Sequence, residues 1–250
     1  MKKEVLITGA SSGIGKSIAQ LFSKNGWLVY LVARDKTKLE KVQSELSASS
    51  HVLSCDLGVP EQIQTLCSQL DGLKSNISVL VNNAGIYQPS LFENETEQNW
   101  SAQFATNLFG PVLLTRGVWK QLVHNKGAVV NVSSTLGLRP IEKTGAYSAS
   151  KAALNSWTQT LALEAGPEGV RVNAVCPGLV DTPIHFFHQS EKIEHKAIRQ
   201  QLDKMQPLKR MGAGDDIAKA VYFAATDESS WMTGALIPVD GGISLTTRDP

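Results

Sequence analysis

Tyr147 and Lys151 stand four residues apart in Tyr-Ser-Ala-Ser-Lys, at the head of a stretch with helical apolar spacing. That separation puts both side chains on one helix face, and a phenol beside an ammonium is an acid/base pair. A free phenol titrates near 10, and a shift of about three units toward neutrality corresponds to roughly 4 kcal/mol. One positive charge at about 4 Å supplies roughly that at an effective dielectric of 20. On an exposed helix the same pair is only an aromatic–cation contact, so its surroundings decide. Thirteen residues before the tyrosine, the apolar run Val129-Val130-Asn131-Val132 ends in Ser133 and Ser134. Strand ends are where an open α/β sheet presents groups to a ligand. Either hydroxyl can hold a carbonyl oxygen while the other caps the strand, and spacing alone does not choose between them.

A second constellation lies near the N-terminus, where a short apolar run passes into Thr8-Gly9-Ala10-Ser11-Ser12-Gly13-Ile14-Gly15. Gly9 allows a sharp turn, Gly13 a close approach by a pyrophosphate, and Gly15 tight packing of the helix that follows. That helix start offers N–H donors and the positive end of a dipole. The spacing is Gly-x3-Gly-x-Gly rather than Gly-x-Gly-x2-Gly, and without its strand and helix it is only a turn. About twenty residues on, an acid would take an NAD ribose and a base a 2′-phosphate. The chain reads Val32-Ala33-Arg34-Asp35 there. With Ala33 ending the strand, Arg34 favours NADP(H), and Lys36 and Lys38 add positive field. A one-residue change of register would exchange Arg34 and Asp35, which leaves NAD(H) open.

These groups need a frame. Apolar runs without period-two alternation occur at Val5–Thr8, Leu28–Val32, His51–Ser54, Val79–Val81, Ala128–Val132, Val170–Val175 and Ala235–Val239. Amphipathic stretches separate them, including Ile14–Lys24 and Ala152–Glu164. Seven buried strands alternating with helices predict a doubly wound α/β sheet, parallel and covered on both faces. With no linker in 250 residues, residues 1–250 read as a single domain. The longest insertion, 182–207, is either surface decoration or a lid over a substrate pocket.

Lys plus Arg number 24 against 23 Asp plus Glu, a net charge of +1, so bulk electrostatics argues for neither a nucleic-acid nor an acidic-membrane partner. No apolar run reaches spanning length. Cys55, Cys67 and Cys176 are odd in number and lack CxxC spacing, which indicates neither a disulfide framework nor a metal site. A cytoplasmic protein is expected.

Taken in order, Thr8-Gly9-x3-Gly13-x-Gly15, Asn82-Asn83-Ala84-Gly85, Asn107, Ser134, Tyr147-x3-Lys151 and Pro177-Gly178 closely resemble the short-chain dehydrogenase/reductase family across the whole chain. The resemblance implies a Rossmann fold and a hydride exchanged between nicotinamide and a carbonyl or alcohol. In it Tyr147 is the acid/base and Ser134, rather than Ser133, polarises the substrate oxygen. Lys151 lowers the tyrosine pKa and binds the nicotinamide ribose, and Asn107 anchors a water-linked proton path. Without the resemblance, Asn107 in its apolar helix would be read as exposed or bonded to local backbone.

The cofactor would rest on Gly9, Ser11, Ser12, Gly13, Ile14 and Gly15, with Arg34 at its far end. Asp56 and Leu57 would meet adenine, Asn83, Ala84 and Gly85 the adenosine side, and Pro177, Gly178, Val180 and Thr182 the nicotinamide side. Asp56 reads equally as an N-cap, Asn82 and Asn83 as a strand-end turn, and Thr182-Pro183 as a turn. Asp240-Gly241-Gly242 also looks like the family, in a region of subunit contacts, so a homo-oligomer, tetramer or dimer, is implied.

NADPH-dependent reduction of a ketone, similar to that of the 3-oxoacyl-acyl-carrier-protein reductases, leads the readings. An NAD-dependent alcohol, polyol or sugar dehydrogenase is the alternative within the fold. A nucleotide-binding regulatory protein without chemistry is the third, and it has no need of an acid/base pair. Leu136, Leu138, Ile141, Phe186 and Phe187 suggest a small-molecule pocket that is apolar.

Overall fold

In the computed structural model residues 3–184 and 199–246 are described. Seven strands form one sheet: β1 (Glu4–Thr8), β2 (Leu28–Ala33), β3 (Ser50–Ser54), β4 (Val79–Asn82), β5 (Ala128–Val132), β6 (Arg171–Pro177) and β7 (Leu236–Val239). Their order is β3-β2-β1-β4-β5-β6-β7, and all neighbours run parallel. The expected doubly wound α/β class is the one observed. Strand β6 runs beyond the expected Val175 because β7 still offers partners, Cys176 pairing with Pro238 and Pro177 with Val239.

The absence of period-two alternation has a direct packing cause. Along β1, Val5 and Ile7 face one core and Leu6 the other; along β2, Val29 and Leu31 face the first and Tyr30 and Val32 the second. Helices α1 (Gly13–Lys24) and α2 (Lys36–Ser44) cover the first core, joined by α7 (Gly214–Ala225). The second core lies under α3 (Pro60–Gly72), α5 (Gly110–His124) and α6 (Gly145–Ala165). Apolar side chains therefore serve on both faces of these strands.

From β1 the chain builds outward to β2 and β3, then returns to place β4 on the other flank of β1. That reversal opens a crevice beyond the carboxyl ends of β1 and β4, the position where doubly wound sheets take ligands. The two edges of the crevice are sewn together. Thr8 Oγ1 donates to the Val81 carbonyl (3.3 Å) and accepts from the N–H groups of Asn83 (2.9 Å) and Ala84 (3.0 Å).

Before α5, helix α4 (Glu97–Phe104) does not continue in α form: Ala105–Phe109 is a π-helical turn. Pro111 has no N–H to return to the carbonyl of Asn107, four residues before it, so the regular ladder is interrupted at this point by the sequence itself.

Candidate active site

The crevice is a cleft of about 860 Å³. All the residues expected to hold cofactor border it, from Arg34 and Asp56 at one end through the glycine turn to Tyr147, Lys151 and Thr182 at the other. Ser134 borders it as well, and Asn107 does not.

At the glycine turn the geometry fits a diphosphate cradle. Gly9 has φ +64°, a conformation other residues adopt only under strain. A Cβ on Gly15 would lie 2.2 Å from the Gly9 carbonyl oxygen, so only glycine lets α1 start this close to the end of β1. Ser12 precedes the helix in extended conformation with no side-chain cap, and the first turn carries no acid. An uncapped helix start facing a cleft is suited to an anion. Asn83 turns its amide inward, Nδ2 donating to the carbonyls of Thr8 (2.9 Å) and Gly9 (3.3 Å), and so holds the cradle from the β4 side. Across the cleft Thr182 stands against Gly13, whose hypothetical Cβ would come 3.2 Å from Thr182 Cγ2.

The register at the end of β2 is now explicit. Ala33 is the last residue of the strand and pairs with Ser54. Asp35 caps α2, its Oδ1 accepting from the Lys38 N–H at 3.0 Å, and that bond holds its carboxyl below the usual range. Lys38 also pairs with Asp35 at 3.5 Å, and Lys36 with Glu40 at 3.8 Å. Arg34 is left at the cleft mouth, 71 % exposed along its side chain, with Asp56 Oδ2 at 4.0 Å as a loose counter-ion. Asp56 spends its other oxygen on the Gly58 N–H (2.9 Å).

At the opposite end, α6 begins one residue after Thr144 and brings Tyr147 into its first turn, with Lys151 one turn deeper and 3 % exposed. The two serine hydroxyls after β5 divide. Ser133 donates to the Lys151 carbonyl (3.3 Å), whereas Ser134 accepts from the Leu136 N–H (3.1 Å) and draws the Tyr147 phenol down.

In the chain alone Lys151 is not among the groups that move the phenol. Its ammonium donates to the Val132 carbonyl at 2.9 Å and lies 5.9 Å from the Tyr147 ring centroid. Burial dominates at both groups, pushing Tyr147 up to about 12, against the pull of Ser134, and Lys151 down to about 8. In the chain alone the phenol is a proton donor held ready across neutral pH, not a phenolate.

Asn107 is fully buried in the π turn, and its partners are distant in sequence. Oδ1 accepts from the Ile86 N–H (2.9 Å), and Nδ2 donates to the Ile86 carbonyl (3.0 Å) and to Ser150 Oγ (3.1 Å). Neither the exposed nor the local-backbone reading of this residue holds. A Cβ on Gly85 would fall 3.2 Å from Asn107 Oδ1 and 3.6 Å from Lys151 Nζ, so the three converge behind the tyrosine.

Sequence reasoning missed Tyr87, whose ring meets Tyr147 edge to face at a centroid distance of 5.0 Å. It also missed Gln103 and the seam formed by Thr8. None of the three carries a sequence signal that names its partner. Leu136 and Ile141 border the cleft, Leu138 is exposed away from it, and Phe186 and Phe187 lie outside the described residues, as does 185–198 of the insertion. Among the described residues no helix is long and apolar enough to cross a membrane.

Residues 9–244 match a family model described as enoyl-(acyl carrier protein) reductase. The chain is 36 % identical to an L-xylulose reductase of Caenorhabditis elegans over 97 % of its length and 96 % of that protein. It is 35 % identical to a 3-oxoacyl-[acyl-carrier-protein] reductase of Thermotoga maritima, covering 97 % of this chain and 98 % of the relative. The solved structure of the aldohexose dehydrogenase of Thermoplasma acidophilum superposes with a TM-score of 0.90 at 29 % identity, over 100 % of this chain and 96 % of that one.

Proposed function

The chain belongs to the short-chain dehydrogenase/reductase family of NAD(P)-dependent oxidoreductases, and from that membership we propose that it reduces an uncharged ketone with NADPH, Tyr147 giving the proton. The observation that carries this reading is that Ser134, Tyr147 and Lys151 border the same cleft as the glycine cradle. Nicotinamide, when bound, supplies the hydride to the carbonyl carbon. Ser134 and Tyr147 take the carbonyl oxygen between two hydroxyls, where negative charge grows, and Tyr147 passes its proton to that oxygen. Lys151 is the cation nearest the phenol and the source from which its proton is replaced. Asn107 positions the loop that borders the site through Ile86.

Preference for NADPH rests on the end of β2. Ala33 stands where an acid would bind a ribose, Asp35 is committed to the cap of α2, and Arg34 is free to turn from a 4.0 Å contact toward a 2′-phosphate. A second reading, oxidation of a sugar hydroxyl with NAD, comes with the likeness to the aldohexose dehydrogenase. Against it stand the Asp35 cap and a substrate end bordered by Leu136, Ile141, Ile184 and Met205. Of the 182–207 segment, the described residues Ile184 and Met205 border the cleft. Exposed Phe109, Leu163 and Trp231 support a homo-oligomer, dimer or tetramer, which light scattering tests. Free Cys55, Cys67 and Cys176 suit the reducing cytoplasm.

The test is Tyr147→Phe. NADPH-linked reduction of a 3-oxoester should fall by about 10²–10⁴-fold while NADPH binding, followed by fluorescence, persists. Activity equal to the unmodified protein's would overturn the assignment.

A further inference from the structure

Two amide side chains on the α4–α5 rod hold the loop after β4 at alternate residues. Asn107 takes both backbone groups of Ile86. One helical step earlier, Gln103 takes both of Gln88: Oε1 accepts from the Gln88 N–H at 3.3 Å, and Nε2 donates to the Gln88 carbonyl at 3.2 Å. Gln103 is itself fully buried and is oriented by Asn99, whose Oδ1 accepts from Nε2 at 2.9 Å; Asn99 in turn donates to Glu95 at 3.0 Å. Burying an amide forfeits its hydration, and here two of the bonds each amide regains fix one backbone position. Both neighbours of Tyr87 are thereby pinned, and its ring is delivered into the cleft against Tyr147, 5.0 Å between centroids with the planes at 75°.

We propose that Tyr87 determines substrate specificity and that Gln103 positions it, building a pocket for ketones that carry a small substituent on the Tyr87 side of the carbonyl. The Tyr87 ring fills the space directly beside the proton donor, so a group on that side of the carbonyl meets an immobile aromatic wall. Ile141, Ile184 and Met205 also border the cleft, and the long apolar substituent is assigned to them. The assignment rests on the reading of Tyr147 as the acid that serves a ketone oxygen.

Ethyl 3-oxobutanoate and ethyl 3-oxo-3-phenylpropanoate differ only in methyl against phenyl at the carbonyl, and their kcat/KM ratio with NADPH reads the wall directly. The unmodified protein should prefer the methyl ketone. Tyr87→Ala should reduce that preference by about tenfold or more, the scale on which pocket volume discriminates. Gln103→Leu, which fills the same space without the clamp, should move the ratio in the same direction by several-fold. Tyr87→Phe should keep the original preference, since the ring and not the hydroxyl forms the wall. A residue that only supports the fold would slow both ketones alike, so a ratio unchanged in Tyr87→Ala overturns the proposal even if Gln103→Leu does not fold. Undiminished activity in Tyr147→Phe, or turnover of neither ketone by the unmodified protein, overturns instead the reading beneath it.

Discussion

Asn107 holds Ile86 by both of its backbone groups, an N–H at 2.9 Å and a carbonyl at 3.0 Å. Replacing it with leucine leaves two partly buried backbone groups unpaired, each worth up to about 1–3 kcal/mol. Asn107→Leu should lose about 2–4 kcal/mol in urea unfolding and lower kcat more than it raises KM. A variant as stable and as active as the parent would show that the clamp positions nothing.

Gly15 packs against main chain, where nothing flexible can give way. A Cβ 2.2 Å from the Gly9 oxygen forces α1 away from β1. Gly15→Ala should therefore lower stability by about 1–3 kcal/mol and weaken both NADPH and NADH, which isothermal titration would compare.

Arg34 acts on one cofactor only. Losing a charge-assisted bond worth about 1.5–3 kcal/mol should weaken NADPH about 10- to 100-fold in Arg34→Asp, with NADH little changed. Fluorescence titration with both nucleotides decides, and an NADH preference in the unmodified protein would transfer the argument to the oxidative reading.

Lys151 is held at about 8 by burial, below its unfolded value near 10.4. Below pH 8 it is charged in both states and the burial penalty is fully present. As pH rises from 8 past 10, the folded state has lost the proton that the unfolded state still binds, and the penalty fades. Lys151→Met should thus melt higher than the parent below pH 8, with the difference closing toward pH 10, while reduction is largely abolished. A lower melting temperature at pH 7 would contradict the assignment.

Activity should follow the same group. Tyr147, at about 12, keeps its proton throughout the working range, so the reductive kcat/KM should be level below pH 8 and decline above it as Lys151 deprotonates. A rising limb between pH 6 and 8 would point to a different acid.

Much of this was legible before any coordinates. The strands could be read because residues such as Leu6 and Ile7 are apolar on opposite faces, which only a doubly covered sheet explains. The glycine turn was legible because backbone geometry restricts residue type. Asn107 was named only through the family resemblance, since its partner Ile86 is remote in sequence and becomes a neighbour only in the folded chain. Tyr87 was hidden for the same reason. The choice between Arg34 and Asp35 turned on a single residue of register, which the pairing of Ala33 with Ser54 supplies.

The π turn at Ala105–Phe109 places the helix out of phase with itself. One residue more than a regular spiral would use is accommodated there, and every position before it is rotated by about 100° relative to where an uninterrupted helix would set it. Deleting a single residue after Asn107 would heal the spiral and turn both amides together relative to α5. Gln103 and Asn107, four residues apart, would share a face in a regular helix as well; what the dislocation resets is the phase between that face and the one α5 buries. A smoother helix would be the better helix and the poorer instrument.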